Sequence, residues 1–404
     1  MADTGHFDTR QLSYSRVLQV LREQRTSSRA ELARRTGLSP ATVTTITRDL
    51  MERGYLREGG VGSSKGGRPP ILLEYNARSR LALGLDLHEF AVSGVVTDLY
   101  AQALQSHKLE PVQDGPEAVI AALARWVEGA LESVNPDKCR AIGIAIPGLV
   151  DPKTGALISA SEFGLPSMPL ADALEDRIGL RPVLTNRTPA AALAERWLGA
   201  AREAENVLFI RLGGYIGGTI LIDGLPYWGA GHGVAAIAHM TVDPEGAPCR
   251  CGSRGCLDTV ASGASIARSA REAIKAGRSS GLAERTSDNL DMITAEMVVE
   301  EARRGDAVAL AVLQEAGSWL GLAVANCINL LGPDMVVIGG GVGRAAGDLL
   351  LDPVRETVRN RAVWAATKRV RIVSTSLGPE ATACGAAATA ILATMTRSIE
   401  LHVT

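Results

Sequence analysis

Several features are scarce or missing in this chain of 404 residues. No membrane-spanning run is expected. The most apolar late stretch, residues 319–331, falls short of the roughly 20 residues a span needs and carries Asn326 and Asn329. It reads as a buried helix, and no membrane partner is expected. The start, Met-Ala-Asp-Thr-Gly, has neither the basic stretch nor the apolar core of a secretory leader. There are only six cysteines, three of them in one short loop, which fits a reducing, cytoplasmic setting. A large charge excess is also missing: the net charge is −2, so the whole molecule is no polyelectrolyte. With 46% hydrophobic residues and 21% charged ones, the disordered class is excluded. The length leaves room for two or three domains.

What charge there is lies unevenly. Residues 1–80 carry a balance of +6 and the remainder −8, a basic head on an acidic body, which points to an anionic partner for the head. In that head, residues 11–25 have helical periodicity with Leu12, Val17, Leu18 and Leu21 inward. Ser28 and Glu31 have capping-box spacing, Gly37 supplies a tight turn, and Ser39 with Pro40 opens the next helix. Two short helices around a glycine turn form a helix-turn-helix.

The second helix, residues 40–53, puts Val43, Ile46 and Leu50 on one face. The opposite face carries Ala41, Thr45 and Arg48, flanked by Thr42 and Thr44. These side chains have donors and methyls without bulk, as entry into a major groove requires, and Arg48 has the reach to contact a guanine edge. Arg34 and Arg35 end the preceding helix, where a DNA phosphate would lie. Two strands near residues 55–58 and 72–75 then flank a Gly-rich tip with Lys65 and Arg68, a basic wing for phosphate or minor groove. Double-stranded operator DNA is the expected partner; the plainer alternative is a small protein-interaction domain.

The other conspicuous stretch is the loop 239–258, with His239, Cys249, Cys251 and Cys256 around Gly252 and Gly255. One imidazole and three thiols make a closed, tetrahedral set for a structural Zn2+, with no open position for catalysis. Three free thiols beside an unrelated histidine is the plainer reading. A Cys251–Cys256 disulfide would leave Cys249 over and need an oxidising compartment.

This His…CxCGxxGC(D) pattern resembles the signature of the ROK family (repressors, open reading frames and sugar kinases). So do Ile146-Pro-Gly-Leu-Val-Asp151, Pro333-Asp-Met-Val-Val-Ile-Gly-Gly-Gly341 and the Gly/Ala-rich run after Leu377. The resemblance covers nearly the whole chain. It implies an α/β body with the two-lobed, actin-like ATPase (ribonuclease H-like) fold, and a cleft between lobes that binds sugar and ATP. The strand and helix order of residues 79–404, rough as it is, repeats in two halves. The expected division is a winged helix-turn-helix domain, 1–78, and a body, 79–404, whose first lobe spans about 79–185 plus about 380–404 and whose second spans about 186–379.

Against the family's kinase pattern, the chemistry is altered. Where the resemblance places an Asp-x-Gly-Gly-Thr phosphate turn, the sequence reads Asp86-Leu-His-Glu-Phe90. Where it places the catalytic aspartate, after Asn186, stands Arg187, which stays protonated and cannot accept a sugar hydroxyl's proton. Loss of a base alone costs on the order of 10²–10⁴ in rate. The Glu-x-Gly-His sugar motif reads Ala236-Ile-Ala-His239, and Asp258 stands for a Glu. Asn186, Arg187, His239 and Asp258 remain as candidate ligand contacts. The expected protein is a non-enzymatic transcriptional regulator, a repressor, working as a homodimer or dimer of dimers with a sugar or sugar derivative as effector. An active sugar kinase with a DNA-binding head is the alternative, and a non-enzymatic interaction scaffold a third.

Overall fold

The computed structural model describes residues 9–63, 69–88, 91–111, 115–160, 165–229 and 236–397. The first helix, Thr9–Gln24, buries Val17, Leu18 and Leu21. Ser28 caps the helix Arg29–Thr36 by accepting the Glu31 amide at 3.2 Å. The Glu31 carboxylate does not turn back to the cap. It pairs with Arg34 and Arg35, since charge-assisted bonds to two guanidiniums outcompete one backbone N–H. Gly37 closes this helix at φ 69°, a left-handed conformation that only glycine adopts freely. Ser39 then caps the helix Pro40–Glu52 through the Thr42 amide.

The wing strands Leu56–Val61 and Ile71–Tyr75 pair antiparallel. A third strand, Thr26–Ser28, completes the sheet on the other side of Ile71–Tyr75. The wing residues Lys65 and Arg68, like Glu89 and Phe90 of the altered phosphate turn, lie outside the described residues.

The body contains two five-stranded mixed sheets with one wiring plan. In the first, Leu81–His88 is central; Ala91–Thr97 and Ala103–Pro111 follow antiparallel on one side, Cys139–Ile146 and Val183–Asn186 lie parallel on the other. In the second, Val207–Leu212 is central; Ile216–Ile222 and Leu225–Pro226 meander on one side, Met335–Gly339 and Arg371–Ser374 lie parallel on the other. The Asp223-Gly224 hairpin turn has both residues at positive φ, 51° and 74°, as its type requires.

Two compact units result. One gathers Met1–Trp197, Trp228–His232 and Glu380–Thr404, the other Leu198–Tyr227 and Gly233–Pro379. The helix Arg187–Trp197 thus belongs to the first unit, where the sequence reading had drawn the break before Asn186. The reason is its packing on the C-terminal helix Ala381–Arg397. A Cβ on Gly385 would lie 1.7 Å from the Ala190 carbonyl oxygen. The same helix presses on the first sheet, where a Cβ on Gly84 or Gly143 would sit 2.0 or 1.9 Å from the carbonyl oxygens of Ala383 and Ala386. The Gly/Ala-rich run is therefore a close-packing seam.

The head rests on this unit. The Arg22 guanidinium lies 3.7 Å from the centre of the Trp197 ring, Arg196 pairs with Glu23 at 2.6 Å, and Arg53 donates to the carbonyls of Thr394 and Met395 at 3.1 Å. Burial brings the Arg22 pKa down to about 10, so it remains a cation at neutral pH.

In the second unit the helix Ala307–Leu331 is long and apolar enough to cross a membrane by length and composition. It is a core helix here: Leu313, Leu320, Val324 and Ile328 are buried, and Gly317 and Gly321 admit the backbone of Asp348–Arg361.

Candidate functional site

Three sites stand on these elements. The first is the exposed face of Pro40–Glu52. Val43, Ile46 and Leu50 anchor the helix with 0%, 2% and 0% exposure, while Ser39, Ala41, Thr44, Thr45 and Arg48 are exposed and Thr42 is partly so. The structure thus brings these residues onto one surface. The Thr44 hydroxyl donates to the Pro40 carbonyl at 2.8 Å, leaving its lone pairs and methyl to a partner. Arg48 makes no ion pair among the described residues, whereas Arg34 and Arg35 are held by Glu31. Sequence reasoning missed Thr47, fully buried, whose hydroxyl accepts from Arg29 Nε at 3.0 Å and ties the two helices together.

The second site opens the helix Arg187–Trp197. Arg187 forms a two-pronged pair with Asp86, Nε to Oδ1 at 2.6 Å and Nη2 to Oδ2 at 3.0 Å. Asp86 is buried, its side chain 3% exposed against 18% for the arginine. Asn186 caps the helix by accepting the Thr188 amide at 2.8 Å, and its Nδ2 donates to the Gly148 carbonyl. Both side chains are thus engaged in the scaffold. An ion pair is the plainer reading of an arginine at this position, and Asp86 is the carboxylate that forms it.

The third site is the loop in the second unit. His239 ends a short 3-10 turn, Ile237–His239. Bridges between Thr241 and Cys256 and between Pro248 and Arg254 fold the loop back on itself. Gly255, at φ 61°, passes so close to Asp243 that a Cβ would strike its carbonyl oxygen at 1.5 Å. The ligand atoms of His239, Cys249, Cys251 and Cys256 all lie within 4.8 Å of one another. The Cys251 and Cys256 sulfurs are 3.7 Å apart, too far for a disulfide bond of about 2.05 Å, and Cys249 Sγ is 3.6 Å from His239 Nδ1. The Ser253 amide holds the Cys251 thiol below its ordinary pKa range, while burial pushes the neighbouring Cys256 thiol up to about 12. These four residues form a possible metal-binding cluster. Downstream, buried Asp258 accepts the Ile216 amide at 2.9 Å, fastening the glycine turn 213–214 beside the loop. Its carboxylate was read as a ligand contact; one oxygen is used internally.

A winged helix-turn-helix head on a duplicated, kinase-like α/β body defines a DNA-binding regulator of a recognisable class. The ROK family model matches residues 82–392, and a winged helix-turn-helix DNA-binding model matches residues 15–57. A putative xylose repressor of Caldicellulosiruptor sp. (strain Rt8B.4) is 29% identical over 96% of this chain and 97% of its own length. The crystal structure of a ROK family transcriptional regulator, a homolog of the E. coli MLC protein, superposes with a TM-score of 0.81 at 27% identity, covering 96% of this chain and 98% of that one. A ROK family glucokinase from Streptomyces griseus, solved with glucose and AMPPNP, gives a TM-score of 0.67 at 31% identity over 76% of this chain and 98% of the enzyme. The chain belongs to the ROK family. With its reading head it acts as a DNA-binding transcriptional regulator, and the fold is that of the actin-like ATPases.

Removing only one member of the buried pair should be costly. Arg187→Ala, which strands the Asp86 carboxylate, is expected to lower unfolding free energy in urea by about 3–5 kcal/mol. The joint replacement Asp86→Leu/Arg187→Met should stay within about 1 kcal/mol of wild type; equal losses in both would show that the pair is not what holds this site.

Proposed function

We propose that this protein is a transcriptional repressor whose body senses a sugar or sugar derivative and no longer transfers phosphate. The observation that carries the reading is the Arg187–Asp86 pair. At the position where the family resemblance places the general base, a guanidinium is neutralised by a carboxylate, so neither group is free to take a hydroxyl proton. The name of the xylose repressor and the glucose bound to the Streptomyces griseus enzyme support a sugar-like effector. Asn186, Arg187, His239 and Asp258 are its proposed contacts, with Ala236 removing one carboxylate from the family set.

Transmission has a physical candidate. The helix that begins at Arg187 ends at Arg196 and Trp197, the two residues that hold Glu23 and Arg22 of the first head helix. A rigid, small-residue-packed helix carries a displacement from one end to the other. Effector binding would shift the head between two populations of different operator affinity. The working unit is a homodimer or dimer of dimers in which paired heads read two half-sites, each through Ser39, Ala41, Thr42, Thr44, Thr45 and Arg48, with Arg34, Arg35, Lys65 and Arg68 on phosphates. The domain division proposed is 1–78 for the head and 79–404 for the body.

The loop 239–258 fits Zn2+. A tetrahedron with arms of about 2.3 Å to sulfur and about 2.1 Å to nitrogen has edges of roughly 3.8 and 3.6 Å; Cys251–Cys256 and Cys249–His239 lie 3.7 and 3.6 Å apart, and all four ligand atoms lie within 4.8 Å of one another. A closed set of four protein ligands makes the ion a structural brace that fixes His239 and, through Asp258, the glycine turn.

Operator footprinting tests the reading: a protected palindrome is expected, weakened about tenfold or more by Arg48→Ala, with no ATP turnover on a panel of hexoses and N-acetylhexosamines. Turnover above background would restore the kinase alternative, and no protected palindrome would favour a scaffold. Metal analysis should find one zinc per chain, lost together with thermal stability in Cys251→Ala; a metal-free, equally stable wild type would contradict the brace.

A further inference from the structure

A cavity of about 280 Å3 lies at the seam between the head and the first body sheet. Its lining includes Arg53 from the end of the reading helix, Arg80 from the connection into the first body strand, and Lys138 and Arg140 at the edge of Cys139–Ile146. Among the described residues no Asp or Glu lines it. Arg53 is committed to Asp49 and to two backbone carbonyls of the C-terminal helix. Arg80 leans on the Tyr55 ring at 5.9 Å. Lys138 and Arg140 form no ion pair among the described residues. Leu81, Leu99 and Ile391 supply apolar wall.

Four cationic side chains line one concavity, and with Arg53 held by Asp49 the positive charge of Arg80, Lys138 and Arg140 has no carboxylate partner among the described residues. Lys138 and Arg140 are exposed and hold no other element in place by an ion pair among the described residues. We propose that the cavity is a binding site for a small dianion, a compact phosphomonoester, distinct from the sugar site of the body. Guanidinium and ammonium donors match phosphate oxygens, and Tyr55 with the leucines receives a small uncharged body. The volume falls just below that of most ligand pockets, which run from roughly 300 to 1,000 Å3; it admits one phosphate group with a short appendage and excludes a polymer. Because the site touches the reading helix and the body together, its occupancy bears on head orientation.

Phenyl phosphate is the probe, titrated calorimetrically into the full-length protein, with phenol as the uncharged control. Saturable binding of phenyl phosphate but not phenol is expected. Lys138→Gln/Arg140→Gln, two exposed side chains whose loss should leave the fold intact, should weaken it at least about tenfold. Arg369→Gln/Arg371→Gln, an exposed pair remote in sequence, should leave it unchanged. The proposal is overturned by three outcomes: no saturable binding; equal weakening in both double variants, the mark of diffuse attraction; or unaltered phenyl phosphate binding in Lys138→Gln/Arg140→Gln with a shallower salt dependence of operator binding, which would make these cations contacts to DNA phosphodiesters.

Discussion

The structure turns on a single electrostatic arrangement, a buried aspartate on the central strand of the first sheet met by an arginine at the head of the helix Arg187–Trp197. Asp86, its side chain 3% exposed, is a polar group that burial leaves costly without a partner. Arg187 provides one with two parallel bonds, the geometry at which guanidinium surpasses lysine. The pair clamps the start of the helix Arg187–Trp197 to the first sheet. Asn186 reinforces it by capping the same helix and holding the Gly148 turn.

From that clamp the mechanical consequences follow through packing. The helix lies against the C-terminal helix with backbone touching backbone at Gly385 and Ala190, and that helix in turn lies on Gly84 and Gly143 of the sheet. Side chains in such seams are too small to absorb a shift by changing rotamer, so the elements move as bodies. At the far end, Arg196 and Trp197 present a charge and a ring to the first helix of the head. The second unit uses the opposite strategy: its loop of four metal-type ligands is shaped by bridges and by glycine at positive φ, with little apolar bulk of its own.

Much of this was legible in the sequence. The head could be read from Ser28, Gly37, Ser39 and Pro40 because caps and turns are local chemistry, and the inward and outward faces of the reading helix followed from a spacing of three to four residues. The metal-type cluster was legible because its ligands are close in sequence. Less legible were features settled by distant partners. The strand Thr26–Ser28 is too short and polar to carry a pattern and exists because Ile71–Tyr75 offers an edge. The long core helix begins well before the apolar run 319–331, because its start is set by the Asp306 cap rather than by a run of apolar residues. The contact of Arg196 with Glu23 spans 173 positions, and the carboxylate facing Arg187 lies 101 positions away; no periodicity links such residues.

The claim that the altered catalytic position governs the reading head is tested most directly by a double-mutant cycle on operator affinity. One arm is Asp86→Leu/Arg187→Met, which removes the charges but keeps the packing. The other is Arg196→Met, about 14 Å further along the helix at roughly 1.5 Å per residue. Changes so far apart normally add within about 0.3–0.5 kcal/mol. The account predicts that the first arm shifts operator affinity in an otherwise wild-type chain and loses most of that effect when Arg196 is replaced, a coupling of about 1 kcal/mol or more. Strict additivity, or a first arm with no effect on operator affinity in a stably folded protein, would contradict it.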